Sequence, residues 1–264
     1  MKYGFIGVGN MGGALAVAAA KSVDPGLIAL SDHDNEKAKA LAEKIGAVHS
    51  GSAEIIKNAK YIFLGVKPQM LKDLFLEISP LLKERKDNFV LVTMAAGTQV
   101  SEIEKLSGGD FPIIRIMPNT PVSIGKGIIL YCANEKVDDL SEFLDLMKFA
   151  GTLDEIPENL IDAASCLTGC SPAWIYMFIE ALADGGVECG LPRAKAIQYA
   201  CDALSGSASL VKESGKHPGL LKDEVTSPGG TTIAGVHALE NGSFRGTVMN
   251  SVKAAYEKTI NLKK

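Results

Sequence analysis

The stretch Tyr3–Ser22, which reads YGFIGVGNMGGALAVAAAKS, decides the fold of the first half of the chain. Apolar, β-forming residues fill Tyr3–Val8, and small and apolar residues recur at helical spacing over Met11–Ser22. This pattern predicts a strand, a tight turn and a helix. The turn, Gly7–Gly12, has the spacing Gly-x-Gly-x-x-Gly, and its position between a strand and a helix gives that short motif its weight.

Each glycine of this loop has its own task in a dinucleotide-binding turn. Gly7 permits the tight turn, Gly9 lets the backbone approach a pyrophosphate, and Gly12 allows the helix to pack closely on the strand. Asn10 and Met11 lie where the N–H groups of the helix face the anion. We therefore expect all five residues to contact or shape a dinucleotide site.

An acidic residue follows the second predicted strand, Leu27–Leu30. Asp32 stands where a carboxylate accepts hydrogen bonds from the adenosine ribose, and no arginine occupies the position that would meet a 2′-phosphate. This arrangement favours NADH. Ser31, His33 and Lys37 are able to serve a phosphate, so NADPH stays open.

The alternation of apolar runs and helical spacing continues to about residue 155 and predicts an α/β, doubly wound parallel sheet over residues 1–155. The further predicted strands are Tyr61–Val66, Phe89–Thr93, Pro112–Met117, Gly127–Cys132 and Thr152–Glu155. The further predicted helices are Asn35–Lys44, Gln69–Glu84, Gln99–Leu106 and Val137–Phe149.

Two segments follow predicted strands at the edge where an open α/β sheet binds its ligand. Lys67 lies in the first of them and is a candidate proton donor; a solvated lysine before a turn proline is the alternative. The residues of these segments that we expect to contact the cofactor are Val66, Lys67, Pro68, Ala95, Ala96 and Gly97.

The chain from residue 156 to 264 predicts a second, all-helical domain. Within it Trp174–Ile179, WIYMFI, is apolar for more than a full turn and has no solvent face, which predicts either a subunit interface or a central buried helix. The predicted helices are Pro172–Cys189, Pro192–Ser214, Pro218–Val225, Gly229–Glu240 and Ser243–Asn261.

Composition excludes several classes of partner. With a net charge of −4 and no dense run of lysine and arginine, the chain is not expected to bind nucleic acid or an anionic membrane. We find no uninterrupted run of about 18 apolar residues, so no membrane span is expected. Five cysteines without a Cys-x-x-Cys pair predict no metal and buried, reduced thiols in a cytoplasmic protein.

A second glycine-rich turn, Ser227–Thr232 or SPGGTT, opens a predicted helix far from the first. Its backbone N–H groups would lie at the positive end of a helix dipole, where an anion binds without a basic side chain. The alternative is an ordinary helix start with Ser227 as its N-cap.

Four groups of segments together closely resemble the pyrroline-5-carboxylate reductase family. They are GFIGVGNMG at 4–12, GVKPQ at 65–69 with MAAGT at 94–98, RIMPNTP at 115–121, and LTGCSPAW at 167–174 with HPGLLKDEVTSPGGTT at 217–232. The resemblance covers essentially the whole chain. One departure is Gly169–Trp174, GCSPAW, where the family often has Gly-Ser-Gly-Pro-Ala-Tyr.

The resemblance implies a Rossmann-type domain, a helical domain that interlocks with that of a second copy, and a substrate site between the domains. It implies reduction of the cyclic imine 1-pyrroline-5-carboxylate to L-proline by NADPH or NADH, the last step of proline biosynthesis. A homodimer is the implied minimum unit, and the size of any larger assembly stays open.

The resemblance also implies roles for single residues. Ser227, Gly229, Gly230 and Thr231 would hold the substrate carboxylate. Thr232 would face the ring nitrogen, and because an iminium forms from solvent near neutral pH, no strong enzymic acid is required. Asn119 of RIMPNTP is expected at the cofactor. Glu180 is a candidate for shaping the interface site by hydrogen bonding. His237 is a candidate for lining the pocket, but a histidine on the helix face is the favoured interpretation.

Two alternatives differ in class. A hydroxyacid dehydrogenase of similar architecture would carry a catalytic lysine on the helix after a glycine-rich turn, and Gly169–Glu180 contains no lysine. A non-catalytic dinucleotide-binding module would keep the fold without turnover, and the intact SPGGTT, MAAGT and VKP segments argue against it.

Overall fold

The computed structural model describes residues 1–261, so the last three residues of the predicted second domain lie outside the described chain. By internal contacts the chain divides into two units. The first is Met1–Gly169 together with the end of the last helix from Tyr256, and the second is Cys170–Ala255. A domain boundary at residues 155 and 156 remains a prediction.

The first unit is built on an eight-stranded sheet with the order β3-β2-β1-β4-β5-β6-β7-β8. Its strands are β1 Tyr3–Ile6, β2 Ile28–Ser31, β3 Val48–His49, β4 Tyr61–Leu64, β5 Val90–Thr93, β6 Ile113–Pro118, β7 Gly127–Ala133 and β8 Gly151–Glu155. Its helices are α1 Asn10–Ala19, α2 Asn35–Ile45, α3 Ser52–Asn58, α4 Leu71–Glu84, α5 Val100–Ser107, α6 Ser141–Met147 and α7 Glu158–Ser165. The predicted doubly wound, Rossmann-like sheet is confirmed.

The pairing of β6 with β7 departs from the prediction of a parallel sheet, because these two strands run antiparallel. Between them lies only a short connection that contains the 3₁₀ turn Thr120–Ile124. A parallel return requires a crossover of a dozen or more residues, usually a helix, and this link is too short for one. The last strand, β8, again pairs parallel with β7.

A short strand and a short helix between β2 and β4 were not predicted. Strand β3 has two exposed residues, and helix α3 has seven residues, which is too short to display a helical period. Strand β3 pairs with β2 at the edge of the sheet, whereas α3 packs on the face that carries Ile62 and Leu64.

The core lies on both faces of the sheet because successive strand residues point to opposite sides. Phe5 and Phe63 stack on one face with ring centroids 4.3 Å apart, packed with α1 and α6. Ile62 and Leu64 of β4 face the other side, where they pack with α3, α4 and α5. Burial on both faces explains why the strands read as continuous apolar runs.

Arg115 of β6 carries a buried charge in this core. Its guanidinium lies 3.1 Å from Glu158 Oε1 and 2.8 Å from Asp162 Oδ1, both on α7. Glu158 Oε1 also accepts the N–H of Val100, the first residue of α5, at 2.7 Å. This network therefore holds α5 and α7 to the sheet.

The cysteines differ from the expectation that they are buried. Cys132 and Cys166 are buried, but Cys170, Cys189 and Cys201 are exposed in the single chain. Burial raises the pKa of the Cys132 thiol to about 11, so this group stays protonated at neutral pH.

The second unit is helical throughout its described residues, as predicted. Its helices are α8 Ser171–Glu188, α9 Arg193–Ser214, α10 Pro218–Glu224, α11 Thr231–Asn241 and α12 Phe244–Asn261, the last of which runs into the residues grouped with the first unit. Few apolar side chains of this unit are buried in the single chain. A π-helical turn, Cys166–Cys170, leads into α8.

One stretch of the described chain, Glu158–Glu188, is long and apolar enough to cross a membrane by length and composition alone. Its most apolar window has a mean hydropathy of 1.2, and only 17% of that window is buried. This is weak evidence for a membrane span, since an apolar helix that packs within a protein passes the same test.

The Arg115 network predicts that Asp162→Ala lowers the free energy of unfolding much more than Asp145→Ala does. Asp162→Ala leaves a buried guanidinium with only one carboxylate, which lowers the free energy of unfolding by roughly 3–5 kcal/mol. Asp145→Ala, which breaks the exposed pair with Lys148, has little effect. Urea denaturation of both variants measures the difference, and similar losses would show that the buried network adds no special stability.

Candidate active site

Three glycines meet at the carboxyl ends of β1 and β4. Gly7 has a φ of +91°, and its N–H donates to Ser31 O at 2.8 Å. A Cβ on Gly12 or on Gly65 would lie 2.1 Å from the carbonyl oxygen of Gly7. All three positions must therefore lack a side chain. Gly65 was missed as a site residue because it fell inside the predicted strand Tyr61–Val66, and the contact that requires glycine there joins segments distant in sequence.

Gly9 differs from these three because a Cβ built there meets nothing within 4 Å. It is the N-cap of α1 and provides no side-chain cap to the helix. Asn10 and Met11 follow in the first turn, so the positive end of α1 lies at a backbone that a ligand can approach closely.

A cavity of about 310 Å³ lies at the carboxyl ends of β1, β2 and β4. Its lining residues include Gly7, Asp32, His33, Ser52 and Val66. This is the edge at which open α/β sheets bind ligands. Several residues predicted from separate segments thus border one cavity.

The residues at the end of β2 are engaged with the protein itself. Ser31 Oγ and Ser52 Oγ share a hydrogen bond of 2.9 Å. Asp32 Oδ2 accepts the N–H of Val8 at 2.7 Å, and Asp32 Oδ1 accepts the N–H of Asp34 at 3.1 Å. Contact of Asp32 with a ribose stays a prediction.

Lys67 is exposed and precedes the short 3₁₀ helix Pro68–Met70. Its carbonyl oxygen accepts the N–H of Met70 at 2.9 Å. Val66 lines the cavity just described. The structure therefore places this segment at the ligand edge, and a chemical role for the Lys67 amine stays a hypothesis.

The segment Met94–Thr98 forms a turn after β5. The N–H of Thr98 donates to Ala95 O at 3.3 Å, and Gly97 has a φ of +74°. Ala95 is buried, whereas a Cβ on Gly97 would meet nothing within 4 Å. Ala96 and Gly97 are thus the partly accessible part of this turn.

Asn119 uses both ends of its amide. Its Nδ2 donates to Thr168 O at 2.9 Å, and its Oδ1 accepts the N–H of Ile128 at 2.9 Å. The side chain thereby connects the end of β6 to β7 and to the π-helical turn. A direct contact of Asn119 with the cofactor stays a prediction.

In the second unit, SPGG forms a tight turn. The N–H of Gly230 donates to Ser227 O at 3.1 Å, with Pro228 second in the turn and Gly229 third at a φ of +67°. This sequence and this φ are typical of a type II turn. Helix α11 begins at Thr231 with Gly230 as its N-cap, so the alternative of Ser227 as N-cap is wrong.

The turn borders a cavity of about 530 Å³ within the second unit, whose lining includes Gly229, Gly230 and His237. A Cβ on Gly230 would lie 2.4 Å from Ser227 Oγ, so a side chain there would displace that hydroxyl. Thr232 is exposed in the first turn of α11, and Glu180 is exposed on α8. Over residues 1–261, no group of three or more histidine, cysteine, aspartate or glutamate side chains is arranged to hold a metal ion.

A glycine loop on a doubly wound sheet, followed by a helical unit with its own glycine turn, is typical of dinucleotide-dependent oxidoreductases. The family model described as pyrroline-5-carboxylate reductase dimerisation matches residues 158–262, and that described as NADP oxidoreductase, coenzyme F420-dependent, matches residues 2–97.

The chain resembles pyrroline-5-carboxylate reductases along its whole length. It is 40% identical to the pyrroline-5-carboxylate reductase of Glycine max, in an alignment that covers 98% of this chain and 95% of the relative. It is also 40% identical to the enzyme of that name from Escherichia coli, with 100% of this chain and 98% of the relative covered. The solved Plasmodium falciparum pyrroline carboxylate reductase with NADP bound has a TM-score of 0.87 at 32% identity, covering 100% and 98%. The chain belongs to the pyrroline-5-carboxylate reductase family.

This assignment confirms the resemblance drawn from the sequence, the oxidoreductase class and the use of NADH or NADPH. It also sets aside the hydroxyacid dehydrogenase alternative.

The space around Gly9 and Gly65 predicts that alanine affects different properties at the two positions. Gly9→Ala lowers the melting temperature of the unliganded protein less than Gly65→Ala does, because the methyl group meets no protein atom and only the N-cap preference for glycine over alanine is lost. It weakens binding of NADH and NADPH at least about tenfold by obstructing the pyrophosphate. Gly65→Ala lowers the melting temperature, because its methyl group meets the Gly7 backbone.

Thermal unfolding and fluorescence titration of both variants measure these effects. Unchanged dinucleotide affinity in Gly9→Ala would remove that residue from the cofactor site. Unchanged stability in Gly65→Ala would show that the contact with Gly7 is easily relaxed.

Proposed function

We propose that this chain reduces 1-pyrroline-5-carboxylate to L-proline with NADH or NADPH, the last step of proline biosynthesis. The observation that carries this proposal is the full-length identity of 40% to named reductases, combined with an SPGG turn that opens α11. Neither glycine turn contains a lysine or arginine, so each would bind its anion through backbone N–H groups.

The cofactor pyrophosphate is proposed to lie at the start of α1, against the backbone of Gly9. The open space at that residue and the uncapped helix N-terminus support this placement. The other segments at the same edge of the sheet would contact the remainder of the dinucleotide. The proposed cofactor-site residues are Gly7, Gly9, Asn10, Met11, Gly12, Ser31, Asp32, Val66, Lys67, Pro68, Ala95, Ala96, Gly97 and Asn119.

The substrate carboxylate is proposed to bind at the start of α11. The turn leaves Gly230 without a side-chain cap, and the helix dipole adds positive potential there. Ser227 would add its hydroxyl, and the backbone at Gly229, Gly230 and Thr231 would complete the anion site. An anchored carboxylate fixes the orientation of the ring that carries the reacting imine.

The dinucleotide, when bound, supplies the hydride that adds to the imine carbon. The C=N electron pair moves to nitrogen, which carries a proton taken from solvent. The exposed hydroxyl of Thr232 would accept a hydrogen bond from the ring N–H and hold the iminium form. Orientation is then the main contribution of the protein.

Thr232→Ala is expected to lower kcat/KM for the imine roughly 10- to 100-fold, because one hydrogen bond to a charged group is lost. The affinity for NADH and NADPH is expected to stay unchanged. Thr232→Ser keeps a hydroxyl and retains most of the activity.

Thr226→Ala is the matched control, since the Thr226 hydroxyl donates to Lys222 O, 2.5 Å away, and has no proposed substrate role. Initial rates and fluorescence titrations measure the two quantities separately. Loss of imine reduction and of cofactor affinity to the same extent in Thr232→Ala would refute its substrate role.

We further propose that the protein works as a cytoplasmic homodimer with no nucleic-acid or membrane partner, and that the dimer is able to join a larger homo-oligomer. The match of residues 158–262 to a dimerisation family supports this. Ile175, Tyr176 and Met177 of α8 are exposed in the single chain, and a second copy would cover them. The same interface accounts for the apolar character of Glu158–Glu188.

Met177→Glu is expected to shift the protein from dimer to monomer, because it places a charge in the proposed apolar interface. The control is Leu76→Glu on α4, since Leu76 is 72% exposed and Met177 is 67% exposed. Sedimentation velocity at several concentrations measures both. A dimer that persists in Met177→Glu, or that is lost equally in Leu76→Glu, would contradict the proposed interface.

A further inference from the structure

Asp32 extends the pairing between β1 and β2 by one hydrogen bond beyond the strands. The parallel register ends at Ile6 opposite Ser31, and the N–H of Gly7 donates to Ser31 O at 2.8 Å. The next N–H, that of Val8, donates to the side-chain Oδ2 of Asp32 at 2.7 Å. The Asp32 carboxylate thus supplies the hydrogen-bond acceptor at the point where the backbone of β2 no longer does.

The other carboxylate oxygen of Asp32 is engaged as well. Oδ1 accepts the N–H of Asp34 at 3.1 Å and lies 2.7 Å from His33 Nδ1. Asp34 is itself the N-cap of α2, where its side chain accepts the N–H of Lys37. Asp32 therefore connects the glycine loop to the start of α2.

The side chain of Asp32 is far more buried than that of the neighbouring His33. The side chain of Asp32 is 5% exposed, whereas that of His33 is 84% exposed. A ribose hydroxyl has little of the Asp32 carboxylate to contact, and both oxygens already accept backbone N–H groups. A carboxylate bound to backbone N–H groups forms strong, charge-assisted hydrogen bonds.

We propose that Asp32 is a positioning residue that holds Val8, and through it Gly9, at the position that receives the dinucleotide pyrophosphate. The proposal rests on the proposed function. Asp32 would then act through the conformation of the glycine loop Gly7–Gly12, and not by accepting hydrogen bonds from the adenosine ribose. Because NADH and NADPH share the pyrophosphate and differ only at the 2′ position, loss of Asp32 weakens both equally.

The test compares the dissociation constants of NADH and NADPH in the wild type and three variants, measured by fluorescence titration. Asp32→Ala is expected to raise both constants about tenfold, with their ratio unchanged within about twofold. Asp32→Asn partly restores both, because the amide oxygen still accepts the Val8 N–H. Asp24→Ala is the matched control, because the Asp24 carboxylate also accepts a backbone N–H, that of Gly26 at 2.9 Å, and does not line the cavity. This variant is expected to leave both affinities nearly unchanged.

A second readout requires no cofactor. Amide hydrogen exchange at Val8 accelerates in Asp32→Ala and slows again in Asp32→Asn, while the melting temperature of Asp32→Asn stays near that of the wild type. A loss confined to NADH, or an unchanged Val8 exchange rate in Asp32→Ala, would overturn the positioning role. Failure of the wild type to bind either dinucleotide would instead contradict the proposed function, and Val8 exchange would still test the Asp32 contact.

Discussion

The structure of the first unit depends on a contact that leaves no room for a side chain. The carbonyl oxygen of Gly7 lies within 2.1 Å of where a Cβ would be on Gly12 or on Gly65. Backbone atoms form most of this contact, so rotation of a side chain would not relieve a clash. Because these three residues lack a Cβ atom, the start of α1 is able to pack directly against the ends of β1 and β4. The N-terminus of α1, which has no side-chain cap, therefore lies at the edge of the sheet.

Both glycine turns leave a helix N-terminus without a side-chain cap, but different backbone features produce this in each turn. The first depends on close backbone packing around Gly7, while the second, at Ser227–Gly230, depends on a positive φ at Gly229 and on space for the Ser227 hydroxyl beside Gly230. Each precedes a helix whose N-cap is a glycine without a side-chain hydrogen bond. An anion at either helix end would be bound by N–H groups and the helix dipole, which suits a phosphate or a carboxylate.

Local pattern predicted much of this architecture. The strand–turn–helix at Tyr3–Ser22, the helical second half and the SPGG turn could be read from sequence because their signals lie within a few residues. What could not be read depends on contacts between distant segments. The need for glycine at Gly65 and the hydrogen bonds made by Asn119 are of this kind. The antiparallel pairing of β7 is different, because the short link between β6 and β7 was a local signal that the prediction did not use.

The most direct test of the account is the initial rate of NADH and NADPH oxidation with 1-pyrroline-5-carboxylate as the only acceptor. A reductase of this family is expected to give an imine-dependent loss of absorbance from a reduced dinucleotide, with L-proline formed in equal amount. Absence of imine-dependent oxidation with both dinucleotides, in protein that is folded and binds them, would contradict it.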